Sequence, residues 1–309
     1  MHIDLTGHHF YRLVLVSTLF FFSNPVLAHE FWLETAQSQQ DSALYAKFYN
    51  GEGFRGESVA QQAQTTRHYY VYNDNTGTRT PIVQQATATT SQSLPQLAPG
   101  LSVIAYQSTD ALHRYKSFQE FSHFARAEGL HWAIDSHRSR QLPESYFSEI
   151  VKRYSKALVC LDHATGSDRM LGLDLELTLK FNPFDKPINR TAQIQPVAAG
   201  DDLDWKVQLT SVRDRVQGTQ ITLFHRNPDG LVTSHRLRTD RDGIASIPEL
   251  GAGDYLLNAV TLRAPSLRDS FKSGAVWESH WSSLTFSYGQ ACYHSGGIKV
   301  STEPSEGNP

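Results

Sequence analysis

The chain has 309 residues and a formal net charge of -3 at pH 7, and 39% of its residues are hydrophobic. This composition is typical of a globular protein with a packed core, and the weak charge excludes the basic footprint of a nucleic-acid-binding protein. Beyond one apolar run near the N-terminus, no stretch approaches the roughly 18 apolar residues of a membrane span, so we expect a mature protein that is not embedded in a membrane.

Residues 1–28 have the pattern of a secretory signal peptide. Arg12 precedes an apolar run, residues 13–22, and the segment ends at the small residue Ala28. Cleavage after Ala28 would make His29 the first residue of a periplasmic or secreted protein. The α-amine and imidazole of an N-terminal histidine form a bidentate chelate for a divalent metal. We therefore predict His29 as a metal ligand.

Residues 29–185 predict a β-rich N-terminal domain. Short segments rich in β-branched and aromatic residues, bounded by turn residues, indicate strands. The predicted strands cover residues 29–34, 41–49, 68–72, 101–106, 153–161 and 173–181, and residues 84–96 predict a weak strand or a surface loop.

A helical insertion at about residues 115–153 interrupts this domain. Phe118, Phe121 and Phe124 recur at the spacing that places side chains along one side of a helix, and Gly129 ends the pattern. Pro143 stands where a helix start tolerates proline, so residues 143–151 predict a second helix. Between the two helices we expect a loop.

Residues 204–288 predict a second β-sandwich domain. Two hairpin turns, Asn227–Gly230 and Asp240–Gly243, separate short strands at regular spacing. These strands cover residues 205–209, 220–225, 232–238, 244–247, 254–262 and 277–286; residues 186–203 predict a linker, and residues 289–309 predict a tail. The expected fold is mainly β, with two immunoglobulin-like or prealbumin-like β-sandwich domains, the first carrying the helical insertion.

Cys160 and Cys292 are the only cysteines, and both follow the predicted signal peptide. An oxidising compartment permits a disulfide between them, which we predict. The alternative is two separate buried thiols, because sequence alone does not give the distance between their Cα atoms. Neither belongs to a C-x-x-C pair, which argues against redox catalysis and a thiolate zinc site.

Four further residues are candidate metal ligands beside His29. His131 and His137 lie in the segment between the predicted helices, where a loop positions side chains at a site. Glu278 and His280 are two apart in a predicted strand, so they share one face. We expect one or two of the three histidines to complete the site. The alternative is a structural role for each histidine and a polar contact between domains for Glu278 and His280.

No catalytic motif is present. The sequence contains no nucleophile elbow, P-loop, dinucleotide-binding glycine pattern or H-E-x-x-H zinc motif, so we expect no enzymatic activity. Arg153, Tyr154 and Lys156 form a polar cluster near a predicted helix-to-strand junction. That cluster either binds an anionic group or locks the two elements together, and the second role is favoured.

Four segments together resemble a bacterial family of exported proteins that is associated with nickel uptake (NikK/NikM-like). They are His29–Glu34, Gly51–Glu57, Arg153–Leu158 and Trp277–Phe286. The resemblance implies a periplasmic protein that captures nickel or cobalt for a membrane metal-uptake transporter, with His29 as the first ligand. Residues 239–243 and 250–255 also resemble prealbumin-like, carboxypeptidase-regulatory-like modules, which are structural spacers or binding platforms.

Two other functions remain open from the sequence. An N-terminal histidine is also the starting ligand of copper-binding histidine-brace proteins and oxidases. A non-catalytic envelope interaction module, contacting a partner through its tyrosines and tryptophans, is the third hypothesis.

Overall fold

The computed structural model describes residues 30–38, 42–84, 90–185, 205–212, 214 and 216–295. The predicted signal peptide, His29 and the predicted linker at residues 186–203 lie outside these ranges, as does the tail beyond residue 295. No helix among the described residues has both the length and the apolar character needed to cross a membrane.

The described elements are mostly strands. Before the undescribed segment 186–204 they are β1 (Glu30–Gln37), β2 (Leu44–Glu52), β3 (Arg55–Val59), β4 (Thr66–Asn73), β5 (Thr78–Pro81), β6 (Ser91–Ser93), β7 (Gly100–Ser108), β8 (Ala111–Tyr115), α1 (Phe118–Ala127), α2 (His131–Ser139), β9 (Phe147–Leu161) and β10 (Leu175–Leu179). After it they are β11 (Lys206–Ser211), β12 (Gln220–Arg226), β13 (Val232–Arg238), β14 (Ile244–Ser246), β15 (Gly253–Arg263), α3 (Leu267–Ser273) and β16 (Ala275–Tyr288).

A nine-stranded sheet forms the centre of the molecule. Eight strands follow the order β13-β12-β15-β16-β9-β7-β4-β5, and β8 pairs with β9. We call the face that carries Ile104, Ala157 and Trp281 the front face, and the face that carries Leu158 and Leu284 the back face, since side chains alternate between the two faces of a strand.

Both faces of the large sheet are covered, which gives the sandwich-like layers expected of the mainly β fold. The sheet β1-β2-β3, with β6 paired to β2, packs on part of the front face through a core that includes Phe31 and Phe48. Helices α1 and α2 pack on the same face, where Phe121 and Phe124 meet tryptophans of β16. The sheet β10-β11-β14 covers the back face through Leu177 and its neighbours.

The large sheet joins the two halves of the chain. Strand β16 pairs in parallel with β9, in a register that runs from Ala275 beside Ser148 to Thr285 beside Ala157. Strands on either side of the predicted linker therefore share one sheet. Pairing between β10 and β11 connects the two sides a second time.

The helical insertion is shorter than predicted. Helix α1 forms as expected: the hydroxyl of Ser117 caps it by accepting a hydrogen bond from the backbone N–H of Glu120 at 3.2 Å. The predicted loop that holds His131 is helix α2, and the predicted helix at residues 143–151 is wrong. From Phe147 onward this segment is β9, whose buried residues pack on both faces of the sheet. Its aromatic and β-branched residues, such as Phe147, Ile150 and Val151, favour a strand, and the proline at position 143 does not start a helix.

The predicted disulfide is confirmed. Cys160, near the end of β9, is bonded to Cys292, with 4.8 Å between the Cα atoms and 132 residues of sequence separation. Next to the bond, the backbone N–H of Tyr293 donates to the carbonyl of Cys160 at 2.9 Å, and the N–H of Asp162 donates to the carbonyl of Tyr293 at 2.7 Å. The bond therefore holds the chain after β16 against the end of β9.

Removing the disulfide should lower the stability of the fold. We expect Cys160→Ser/Cys292→Ser to reduce the free energy of unfolding by about 2–4 kcal/mol, because the bond restricts the unfolded chain over a long loop. Urea titration followed by tryptophan fluorescence measures this. The wild type in reductant should match the double variant, and the variant should not respond to reductant; equal stability of oxidised wild type and variant would contradict the expectation.

Candidate functional site

The described members of the predicted ligand set lie on opposite faces of the large sheet. On β16, Trp277 and Trp281 point to the helices on the front face, whereas Glu278 and His280 point to the back face, as the alternation of the strand predicts. His137 contacts Trp277 and therefore lies on the front side. The sheet separates His137 from His280.

His137 is buried among aromatic rings, and both of its ring nitrogens have partners. The indole N–H of Trp277 donates to Nδ1 at 3.0 Å, and Nε2 lies 3.0 Å from the carbonyl oxygen of Pro143. Because an indole N–H only donates and a carbonyl only accepts, Nε2 carries the hydrogen in the neutral ring. Burial lowers the pKa of His137, which favours this neutral form. The side chain fastens α2 to β16.

His280 is equally enclosed. Its Nε2 lies 2.7 Å from Oε1 of Glu278, and its Nδ1 lies 3.3 Å from the hydroxyl oxygen of Tyr154. The Tyr154 hydroxyl in turn donates to Oδ2 of Asp174 at 3.2 Å. Burial and the negative charge of Asp174 raise the pKa of Tyr154. A carboxylate, an imidazole, a phenol and a second carboxylate therefore form one buried chain.

Positively charged side chains surround Glu278, at one end of this hydrogen-bonded series. Lys152 Nζ lies 3.2 Å from Glu278 Oε1, and Arg263 forms an ion pair with the same oxygen and with Asp214. Burial alone would raise the pKa of Glu278, but hydrogen bonds from His280 and Arg263 and the positive charges of Lys152 and Arg263 together lower it to about 2. Glu278 is thus ionised and fully partnered. Glu278 contacts Lys152, and His280 contacts Tyr154, so both residues make polar contacts that join β16 to β9.

The polar cluster Arg153, Tyr154 and Lys156 is divided between the two faces. Lys156 is buried on the back face, with Nζ 2.7 Å from Asp168 and 3.0 Å from Glu176. It locks β9 to β10 and the loop before β10, which is a structural role, although the elements it joins are not the helix and strand expected from the sequence. Arg153 lies on the front face, where its guanidinium carbon stands 5.4 Å from the centre of the Phe31 ring.

Glu30, at the start of β1, and Glu128, at the end of α1, are two carboxylates that sequence reasoning did not single out. Glu30 accepts a hydrogen bond from the backbone N–H of Gly53 at 3.1 Å, yet burial and the nearby charge of Glu52 raise its pKa to about 7. Burial and the negative charge of Glu30 raise the pKa of Glu128 to about 8, against the opposing effect of Arg236. Glu128 ends α1. The charge of Glu30, at the start of β1, therefore acts on Glu128, at the end of α1, and both carboxyl groups are partly buried.

His131, the remaining predicted ligand, is exposed at the first residue of α2, three positions after Glu128. The one signal in the sequence for this neighbourhood is that Glu30 follows His29 directly, since the position of Glu128 depends on tertiary packing. Throughout the described ranges, no three His, Cys, Asp or Glu side chains stand close enough to hold a metal ion together. The described part of the predicted ligand set does not fit a single ion.

A further carboxylate, Glu149, is completely buried on the front face. It accepts a hydrogen bond from the Tyr115 hydroxyl at 2.8 Å and another from the Ser279 hydroxyl. Burial raises the pKa of Glu149 to about 7, although these hydrogen bonds and the charge of Arg153 act to lower it. Sequence reasoning missed Glu149 because it assigned this segment to a helix.

Comparisons with known proteins give one family. The model of a family described as Domain of unknown function (DUF4198) matches residues 26–263. No curated protein matches the chain. Among solved structures, the chain is similar to the crystal structure of a tetra-tandem repeat in the extending region of a large adhesion protein, with 11% identity over 84% of this chain and 49% of that one and a TM-score of 0.20. The chain thus spans about half the length of that structure, and a TM-score this low carries no argument.

Replacing Glu278 should destabilise the fold. In Glu278→Gln, the charges of Lys152 and Arg263 lose their shared partner, and we expect a loss of about 2–4 kcal/mol in the free energy of unfolding at neutral pH. Because the folded pKa is depressed, the stabilisation by Glu278 is present above its ordinary pKa of 4.5 and is lost as the pH falls toward about 2. Urea titrations at neutral and acid pH measure both effects, and a variant as stable as wild type would contradict the expectation.

The contribution of Glu149 to stability should depend on pH in the opposite direction to that of Glu278. Its folded pKa is raised, so its stabilising contribution is complete below the ordinary value of 4.5 and is lost as the pH rises through about 7. We expect the wild type to lose up to about 3 kcal/mol through this residue by about pH 8. In Glu149→Gln the free energy of unfolding should depend less on pH. Glu57→Gln, on the exposed β3, is the control and should retain the wild-type pH dependence.

Proposed function

We propose that this chain, which belongs to the family of the domain of unknown function DUF4198, is an exported protein that binds a divalent transition metal. The proposed cargo is nickel or cobalt, and the proposed partner is a membrane transporter that takes up the metal. The binding group is the mature N-terminus, where cleavage after Ala28 leaves the α-amine and imidazole of His29 on one residue. The resemblance to nickel-uptake proteins supports the same cargo.

The observation that carries this proposal is the carboxylate pair Glu30 and Glu128. Glu30 follows His29 directly in the chain. Burial, with a smaller effect from the charge of Glu52, raises the pKa of Glu30 to about 7, and burial, with a smaller effect from the charge of Glu30, raises the pKa of Glu128 to about 8. A divalent cation beside these carboxyl groups would replace their protons and stabilise the charged form. Nitrogen donors together with carboxylate oxygens suit nickel and cobalt.

The structure changes which histidines we propose as further ligands. In His137 and His280 both ring nitrogens contact protein groups, so metal binding by either would break a buried hydrogen bond. His131 is exposed and lies close to Glu128 in sequence. We therefore propose His29 as the primary ligand and His131 as the candidate to support it.

Isothermal titration of nickel and cobalt into the mature chain, residues 29–309, tests the proposal. We expect His29→Ala, and a chain with one extra N-terminal residue, to bind at least tenfold more weakly, because each removes part of the chelate. Glu128→Gln should weaken binding less. His280→Gln is the matched control, because it changes a buried histidine on the opposite face of the sheet and should retain wild-type affinity.

Equal affinity in wild type, His29→Ala and the extended chain would exclude the N-terminal site.

The same titration with copper addresses the histidine-brace hypothesis, since copper stands above nickel in the divalent affinity order. Reductant-dependent peroxide formation by the copper-loaded protein would favour an oxidase over an uptake protein. Absence of affinity for all three metals, with co-purification of one envelope protein, would favour the interaction module.

Affinity for metal should fall as the pH decreases. The metal requires deprotonated nitrogen and oxygen donors, so protons compete with it. The α-amine of the chelate ordinarily titrates at about pH 8, and the pKa values of Glu30 and Glu128 are raised to about 7 and about 8. Protons on all three groups should therefore compete with the metal below about pH 8. In Glu30→Gln/Glu128→Gln fewer protons compete, so the decline in affinity should be less steep; an equally steep decline would show that the carboxylates are not part of the site.

A further inference from the structure

A cavity of about 550 Å³ opens between β1, the loop before β4 and strands β7 and β9. Its wall is mixed: the rings of Phe31 and Tyr106 and the side chain of Val151 are apolar, and Gln61 and Thr65 add polar groups. The volume falls in the range of small-molecule sites, about 300–1,000 Å³. The Tyr106 hydroxyl donates to Gln61 Oε1 at 2.9 Å, which fixes the loop as part of the wall.

Arg153 supplies the charge of this cavity. Its backbone N–H donates to the Ser108 hydroxyl at 3.0 Å, and its guanidinium lies over the Phe31 ring. The Nε atom is buried without a hydrogen-bond partner, and the guanidinium forms no ion pair with the described residues. A largely buried cation without a counter-charge is costly, and an anion in the cavity would relieve that cost.

The other charges near the cavity do not neutralise Arg153. Asp110 lies on the wall, but its carboxylate is 3.3 Å from Arg67 and 3.9 Å from Lys152. Glu149 acts on Arg153 from a distance, and burial raises the pKa of this carboxyl group to about 7. The charge of the cavity wall is therefore positive at Arg153.

The geometry points to a binding site for a small organic carboxylate, held by the Arg153 guanidinium beside the apolar part of the wall that Phe31, Tyr106 and Val151 form. A planar guanidinium presents two parallel N–H donors to the two oxygens of a carboxylate. Apolar walls add affinity for a ligand that carries a hydrophobic body beside its charge, which inorganic phosphate lacks. The site does not include the N-terminal histidine, so it does not depend on the proposed metal function.

Benzoate, acetate and inorganic phosphate are suitable probes. Isothermal titration into the mature chain, freed of metal beforehand and held in a buffer without carboxylates, should show binding in the order benzoate, then acetate, with phosphate weakest. Arg153→Met should weaken benzoate binding at least tenfold, because it removes charge-assisted hydrogen bonds and retains an apolar side chain of similar length. Arg153→Lys should retain part of the affinity. Arg241→Met, at an exposed turn, is the control and should bind as wild type does.

A second variant keeps the test decisive if Arg153→Met fails to fold. Ala111→Trp places a large ring in the cavity wall, at an exposed residue, and leaves Arg153 in place; it should also lose benzoate binding. His29→Ala should bind benzoate normally. No binding by the wild type, undiminished binding in both Arg153→Met and Ala111→Trp, or tighter binding of phosphate than of benzoate would each overturn the proposal.

Discussion

The parallel pairing of β9 with β16 is the constraint on which the rest of the structure depends. It places residues 147–161 and 275–288 side by side in the middle of the large sheet. Parallel strands are stable when both faces are covered, and here helices and the β1 sheet cover one face while β10, β11 and β14 cover the other. The buried polar contacts cross this pair: Lys152 meets Glu278, Glu149 meets Ser279, and Tyr154 meets His280.

Beside the β9–β16 pair, the charged side chains of the two faces have different partners. On the back face Lys156, Glu278 and Arg263 each lie in ion pairs, so these charges serve to position strands. On the front face Glu149 and Arg153 form no ion pair with any described residue. Unpaired buried charge reduces stability unless something else binds it, and shifted pKa values concentrate at functional sites. The front face is therefore where ligand chemistry is expected.

Local patterns in the sequence were enough for most strands, the first helix and the shared face of Glu278 and His280. Where local patterns did not predict the structure, tertiary packing determined it. Alternation in a strand shows which side chains share a face but not what covers it, so the sequence could not reveal that partners occupy both nitrogens of His280. The segment that holds Glu149 follows Pro143, which suggested the start of a helix, but its aromatic and β-branched residues pair with β16 and β8 as a strand. The proximity of Glu30 and Glu128, which are far apart in sequence, has no local signal at all.

Strand β1 connects the two proposed sites, because Glu30 and Phe31 are adjacent and take opposite faces of the strand. Phe31 borders the cavity of Arg153, whereas Glu30 belongs to the carboxylate pair. Further along the strand, the Thr285 hydroxyl donates to the carbonyl of Leu33 at 2.5 Å, and Arg226 lies 3.0 Å from Glu34. These contacts tie β1 to β16 and β12. A site built on such a strand keeps its geometry better than one on a loop, so ligand groups at the start of β1 are held by the same central sheet that positions Arg153.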